Sequence, residues 1–204
     1  MYIPKHFSID SPEAMHEIIQ NHPLGVLVTS TSNGLDANHI PFELDAKREV
    51  LTGHLARANP IWQELSNKSP VLVVFRGNES YISPNWYPSK HETHTQVPTW
   101  NYEVVHVHGI LTVQDDEKFV RGVVARLTRQ HETSEPKPWR MGDAPPDYLT
   151  KMLGAIVGIE ISITRIEGKS KLSQNREDRD RLNAADMLQK LGHETLADAM
   201  RQAK

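Results

Sequence analysis

Trp100-Asn101-Tyr102-Glu103-Val104-Val105-His106-Val107-His108-Gly109-Ile110-Leu111-Thr112-Val113 is the stretch on which the fold turns. Alternation with a period of two places Val105, Val107, Leu111 and Val113 on one face, and Tyr102, His106 and His108 on the other. This is the pattern of a half-buried strand. Strands in globular proteins usually run about 5–6 residues, so part of this one is expected to cross a subunit interface or line a site.

Working outward, 25–30, 37–44, 50–55, 71–76 and 80–83 are rich in Val, Ile and Thr and are separated by turn residues, with Asn33-Gly34 as a hairpin signal. Closely spaced strands with few long helices between them predict an antiparallel barrel or sandwich rather than an alternating βα fold. Ser11-Pro12 opens a short helix carrying Met15, Ile18 and Ile19. A second helix is predicted over 117–129, capped by Asp115 or Asp116, with Phe119, Val120, Val123, Val124 and Leu127 as its apolar stripe. The segment 132–147, with Pro136, Pro138, Pro145, Pro146 and Trp139, reads as an extended ordered loop or lid. A last strand is expected over 152–167. Helices then follow to the end, with Leu182, Ala185, Leu188 and Leu191 on one stripe and Gly192 as a stop.

The composition sets bounds. At 204 residues and 38% hydrophobic content the chain can bury one sizeable core. Its net charge of -3 supplies no broad field for nucleic acid. The absence of cysteine removes disulfides, thiolate metal sites and cysteine nucleophiles. No signal-like segment and no apolar run of about 18 residues is present, so a soluble cytoplasmic protein without a membrane partner is expected.

Three clusters carry chemistry. In Thr52-Gly53-His54-Leu55-Ala56-Arg57-Ala58-Asn59-Pro60 a strand runs into a small-residue turn. Arg57 offers a fork of donors to an anion, and Asn59 can cap a short helix behind Pro60. An ordinary turn with a solvated arginine is the plain alternative. Ser83-Pro84-Asn85-Trp86-Tyr87-Pro88 and Val97-Pro98-Thr99-Trp100-Asn101-Tyr102 set aromatics between prolines, which suits either a planar ligand or packing at a barrel corner. Lys169-Ser170-Lys171-Leu172-Ser173-Gln174-Asn175-Arg176 could clamp a phosphate or a heterocycle edge, or be a solvated loop. His91-Glu92-Thr93-His94 lacks the spacing of a helical zinc pair. His106 and His108 share a strand face, where exposed or hydrogen-bonded histidines are a simpler reading than a metal site, so no metal ligand is assigned. No nucleophile and base pair stands out, and no catalytic residue is assigned.

At these clusters the sequence resembles the PaiB-type FMN-binding negative transcriptional regulators, a branch of the FMN-binding split β-barrel superfamily that also contains pyridoxamine phosphate oxidase. The matching words are Met1-Tyr2-Ile3-Pro4 with Phe7, Asn38-His39-Ile40-Pro41-Phe42, Gly53 to Pro60, Tyr81-Ile82-Ser83-Pro84-Asn85-Trp86-Tyr87, Val97 to Tyr102 and Lys171 to Arg176. The resemblance implies a mainly β, α+β fold: a split barrel over 1–175 with peripheral helices, and a C-terminal helical tail over 176–204 packed on it. It implies a homodimer with FMN in a groove between subunits. By that likeness His39 and Ile40 lie beside the flavin, and His54, Ala56, Arg57 and Asn59 surround its phosphate and ribityl chain. Trp100 and Asn101 come from the other subunit, while Lys171, Gln174 and Asn175 close the site.

The likeness also implies DNA as a partner. The candidate element, 176–204, holds six Lys/Arg and six Asp/Glu, whereas a DNA-docking element is expected to be visibly basic. Its leucines read as packing residues. A flavin-dependent oxidoreductase, or a haem-handling split barrel, are the competing expectations.

Overall fold

In the computed structural model, which describes residues 1–65 and 68–203, the long central strand is β7, Thr99–Gln114. Val105, Val107 and Leu111 are fully buried along it, while His106 and His108 on the opposite face are half-buried. The other strands are β1 (Ser8–Ile9), β2 (Leu24–Thr31), β3 (Gly34–Pro41), β4 (Glu43–Asp45), β5 (Val50–Ala56), β6 (Ser69–Ile82) and β8 (Ile156–Lys171). The sheet order is β3-β2-β6-β7-β8-β5-β4, with β1 antiparallel to β8 off that path. The helices are α1 (Pro12–Asn21), α2 (Ile61–Glu64), α3 (Pro88–Thr93), α4 (Glu117–Glu132), α5 (Pro146–Gly154), α6 (Asp178–Lys190) and α7 (Glu194–Gln202). The expected mainly β architecture with peripheral helices is present. Lys204, the end of the expected tail, lies outside the described residues.

The chain forms two compact units that alternate along the sequence. The first comprises 22–75 and 106–166, the second 1–21, 76–105 and 167 onward. In the first unit, β2 and β3 make a hairpin in which Thr31 pairs with Gly34. Gly34 adopts φ +107°, a conformation that favours glycine. Strand β5 lies antiparallel along β8 from Val50 opposite Ser162 to Ala56 opposite Ile156. Leu27, Phe42, Leu51, Val73, Phe75, Ile159 and Ile161 are buried in this unit, and Phe42 meets Phe75 edge to face at 6.0 Å. Helix α4 is capped by Asp116, whose carboxylate accepts from the Phe119 amide at 2.8 Å. It buries Val120, Val123 and Leu127.

In the second unit α6 and α7 close over Ile82, Tyr87 and Leu172. Ala184, Ala185, Leu188, Leu196, Ala197 and Met200 supply the helical side of that core. Here the predicted stripe needs correction, because Leu182 and Leu191 are 41% and 59% exposed while Asp180 and Arg181 are buried. The reason is polar pairing. Asp180 accepts from the amide of Ser89 at 3.0 Å and from its hydroxyl at 2.5 Å. Arg181 donates to the carbonyls of Met200 and Arg201 at the end of α7.

Two further expectations change, and one segment without an assigned element proves helical. The separate strands at 71–76 and 80–83 are one strand, β6, because the Gly77-Asn78 pair stays extended: a Cβ on Gly77 would come within 3.0 Å of Glu103, so glycine there permits close strand approach. The strand expected from 152 begins at Ile156, since Pro146 occupies the first turn of α5, where its missing N–H costs nothing. The segment holding His91 forms α3, with His94 closing it in the left-handed region at φ 56°.

Candidate functional site

Six of the candidate residues lie in the first unit. Register on the hairpin sets His39 opposite Val26 and Ile40 opposite Gly25. His39 is exposed, whereas Ile40 is buried. Ile40 packs close to Gly53, where an added Cβ would sit 3.2 Å from its Cγ2. On β5 the His54 imidazole is half-buried, and its Nδ1 is buried without a hydrogen-bond partner among the described residues. Burial pushes its pKa below the usual histidine value, so the ring is neutral at pH 7.

The turn after β5 is held by its own side chains. The Asn59 carboxamide donates to Asn38 Oδ1 at 2.7 Å, and its oxygen accepts from the Ile61 amide at 3.1 Å, capping α2. Trp62 Nε1 donates to the Arg57 carbonyl at 2.9 Å. The Arg57 guanidinium lies 5.6 Å from the centroid of the Trp62 ring. That guanidinium is engaged. It donates to both oxygens of Asp115 at 2.5 and 3.0 Å, to the Gly154 carbonyl at 2.8 Å and to the Ile156 carbonyl at 3.2 Å. Ala56 and Ala58 are exposed, while the Arg57 and Asn59 amides donate to the carbonyls of Ala155 and Ala56 at 2.8 and 2.9 Å.

The other five lie in the second unit. Trp100 is 55% exposed and meets Tyr81 edge to face at 6.2 Å. The Lys171 ammonium donates to Thr99 Oγ1 and to the Trp100 carbonyl, so these neighbours are brought together. Burial, and then the positive charges of Lys169 and Arg176, pull the Lys171 pKa down. Lys169 is itself buried, with its ammonium 5.3 Å from the Tyr102 ring centroid and 5.8 Å from that of Tyr2. No carboxylate pairs with Lys169, Lys171 or Arg176 among the described residues.

Asn101 and Gln174 are occupied internally. Asn101 is fully buried and its Nδ2 donates to Ser173 Oγ at 2.9 Å. Gln174 folds back, donating to the Ser170 carbonyl and accepting from the Leu172 amide, both at 2.7 Å. Asn175 is exposed.

Sequence reasoning missed one partner of a candidate residue. Asp115 was weighed only as a helix cap; Asp116 takes that place and leaves Asp115 to Arg57. Lys169 and Arg176, both within the basic cluster read from the sequence, act on Lys171 through their positive charges. His106 and His108 stand on β7, where Arg165 donates to His108 Nε2 at 3.0 Å, so that nitrogen already has a partner.

A family model described as "Putative FMN-binding domain" matches residues 1–165. The protease synthase and sporulation protein PAI 2 of Bacillus subtilis is 32% identical over 191 residues, covering 93% of this chain and 89% of that protein. Among solved structures, the flavocytochrome Anf3 of Azotobacter vinelandii aligns with a TM-score of 0.64 at 12% identity, covering 83% of this chain and 72% of its own. An FAD and haem binding protein of Mycobacterium smegmatis aligns with a TM-score of 0.59 at 16% identity, covering 80% and 73%. These two share the fold. By the extent of the family match and the near full-length relationship to PAI 2, the chain belongs to the FMN-binding family of split β-barrel proteins.

Proposed function

We propose that the chain binds FMN as a homodimer in the cytoplasm and acts as a PaiB-like negative transcriptional regulator. The observation that carries the flavin reading is one unpaired polar atom and one uncompensated charge at predicted positions. One is the orphaned, buried Nδ1 of His54 and the other is the Lys171 ammonium, crowded by Lys169 and Arg176 with no carboxylate partner. A buried polar atom without a partner is costly, and uncompensated cations destabilise one another. A hydrogen-bonding ligand would relieve the first and a phosphate the second, and FMN carries both kinds of group.

His39, Ile40, His54, Ala56, Arg57 and Asn59 are the candidate cofactor contacts of the first unit. Trp100, Lys171 and Asn175 are the candidate contacts of the second unit, where Gln174 holds the Ser170 and Leu172 backbone and Asn101 holds the Ser173 hydroxyl. Bound FMN supplies one- and two-electron redox chemistry, and the protein supplies binding and orientation. The regulatory role rests on the resemblance to the PaiB-type regulators carried by the sequence words quoted above.

A second reading, a flavin-dependent oxidoreductase, is favoured by how the arginines of the C-terminal helices are used. Arg179 pairs with Glu92 and Glu177, Arg181 with Asp178, and Arg201 with Asp186 and Asp198. Side chains committed in this way leave little charge for DNA phosphates.

The test begins with the absorbance of the purified protein and an FMN titration. Saturable binding is expected, weakened by Lys171→Ala; no binding by wild type would overturn the flavin reading. Salt-sensitive retardation of promoter DNA without NAD(P)H-dependent turnover supports the regulator. Rapid flavin reduction by NADH or NADPH with turnover of an acceptor, and no retardation, replaces it with the oxidoreductase.

A further inference from the structure

A cavity of about 590 Å³ opens in the first unit between α4 and the proline-rich loop, and none of the residues assigned to the flavin lines it. Its floor is one helical stripe, Ala125, Thr128, Arg129 and Glu132, spaced i, i+3, i+4 and i+7. Its wall is Trp139, Arg140 and Met141. We infer that this cavity is a binding site for a planar aromatic carboxylate, stacked on Trp139 and held through its carboxylate by Arg129 and Arg140.

The loop is fixed rather than draped over the helix. The Trp139 amide donates to Glu132 Oε2 at 2.8 Å, and the Arg140 amide to Asp143 Oδ2 at 2.8 Å. The Thr133 hydroxyl donates to the Arg129 carbonyl at 2.6 Å. Pro136 and Pro138 restrict the backbone between these anchors. A wall ordered in advance lowers the entropy a ligand must give up.

Charge then selects the ligand. The Glu132 carboxylate is committed to the Trp139 amide, and neither Arg129 nor Arg140 has an ion-pair partner among the described residues. Two guanidiniums outnumber the one carboxylate lining the cavity, and their planar forks suit a carboxylate. The Trp139 side of the wall is apolar and 42% exposed, offering a ring face to a flat apolar body. The volume lies within the range of about 300–1,000 Å³ typical of small-molecule sites, which accommodates two fused rings.

The experiment is calorimetric titration of the full chain with 2-naphthoate and, separately, with the uncharged 2-naphthamide. Saturable binding of the carboxylate is expected, with the amide weaker by about tenfold or more, as befits loss of a charge-assisted contact. Arg129→Gln with Arg140→Gln should remove that preference, and Trp139→Leu should weaken both compounds. FMN binding by each variant should match wild type, which separates failure here from failure of the flavin reading. Because all three side chains are solvent-exposed, unchanged urea midpoints are expected; should the double variant not fold, Arg129→Gln alone serves. No binding of 2-naphthoate up to millimolar concentration overturns the inference, as does equal affinity for acid and amide.

Discussion

Arg57 and Asp115 form a two-bond ion pair, with Nη2 on Oδ1 at 2.5 Å and Nη1 on Oδ2 at 3.0 Å. The hydrogen bonds raise the arginine pKa and lower that of the carboxyl. The same guanidinium grips the carbonyls of Gly154 and Ile156, so it fastens the turn after β5 to the start of β8.

A phosphate at this turn must therefore share or displace Asp115. Asp115→Asn removes the competing charge and should tighten FMN binding several-fold, up to about tenfold, the worth of one charge-assisted hydrogen bond. Arg57→Ala should weaken it by a similar factor. Both are read by titrating flavin fluorescence. If neither substitution moves the dissociation constant, Arg57 is a structural clasp and not a ligand.

The His54 pKa is lowered by burial, which fixes the sign of a pH effect. Between the folded value and the ordinary value near 6.5 the unfolded chain binds the extra proton, so stability rises with pH across that window. The full contribution is present above pH of about 6.5 and is lost as the medium becomes more acidic down to the folded pKa. His54→Gln cannot titrate. Urea unfolding at pH 8, 7, 6 and 5 should give a shallower decline for this variant than for wild type. Parallel declines would mean that the ring is solvated in the folded protein.

Strand content was legible because burial on one face writes itself as alternation, as Val105, Val107 and Leu111 do on β7. The helical tail was legible from spacing, yet its buried face was misjudged. Asp180 and Arg181 face inward because Ser89 and the end of α7 wait for them, partners distant in sequence that no local pattern announces. The candidate site divides the same way. Arg57 and the basic cluster holding Lys171 could be named from residue type and position, and His54 through the family resemblance. That Arg57 would be taken by Asp115, 58 residues on, while Lys171 would be left among cations, depends on tertiary placement.

Asp180 carries a sizeable share of the second unit's stability. Its carboxylate satisfies both donors of Ser89, whose hydroxyl in turn accepts from Gln96 at 2.8 Å; Gln96 receives Arg176 at 2.6 Å, and Arg176 lies over Tyr87. Asp180→Ala leaves the buried Ser89 amide and the proton of its hydroxyl without an acceptor, at about 1–3 kcal/mol each. A loss of roughly 2–4 kcal/mol in urea unfolding is expected, with Leu182→Ala on the exposed side of the same helix costing under about 1 kcal/mol. Equal effects from the two would show that helix α6 is not anchored through Ser89.

The central strands approach too closely at Gly109 for any side chain. A Cβ there would lie 2.5 Å from Ile161 Cγ2 and 2.6 Å from the Ser162 carbonyl oxygen on β8. Ile161 could turn, but the Ser162 oxygen belongs to a strand backbone and has no room to yield, so Gly109→Ala should cost at least about 1–3 kcal/mol. Gly142 is the matched control, since nothing lies within 4 Å of its Cβ position. There, alanine only reduces the freedom of the unfolded chain and should be neutral or stabilise by up to about 1 kcal/mol. Urea midpoints of the two variants should thus move in opposite directions or by very different amounts. If Gly109→Ala unfolds at the wild-type midpoint, the packing of β7 against β8 at this position is looser than the close approach described here.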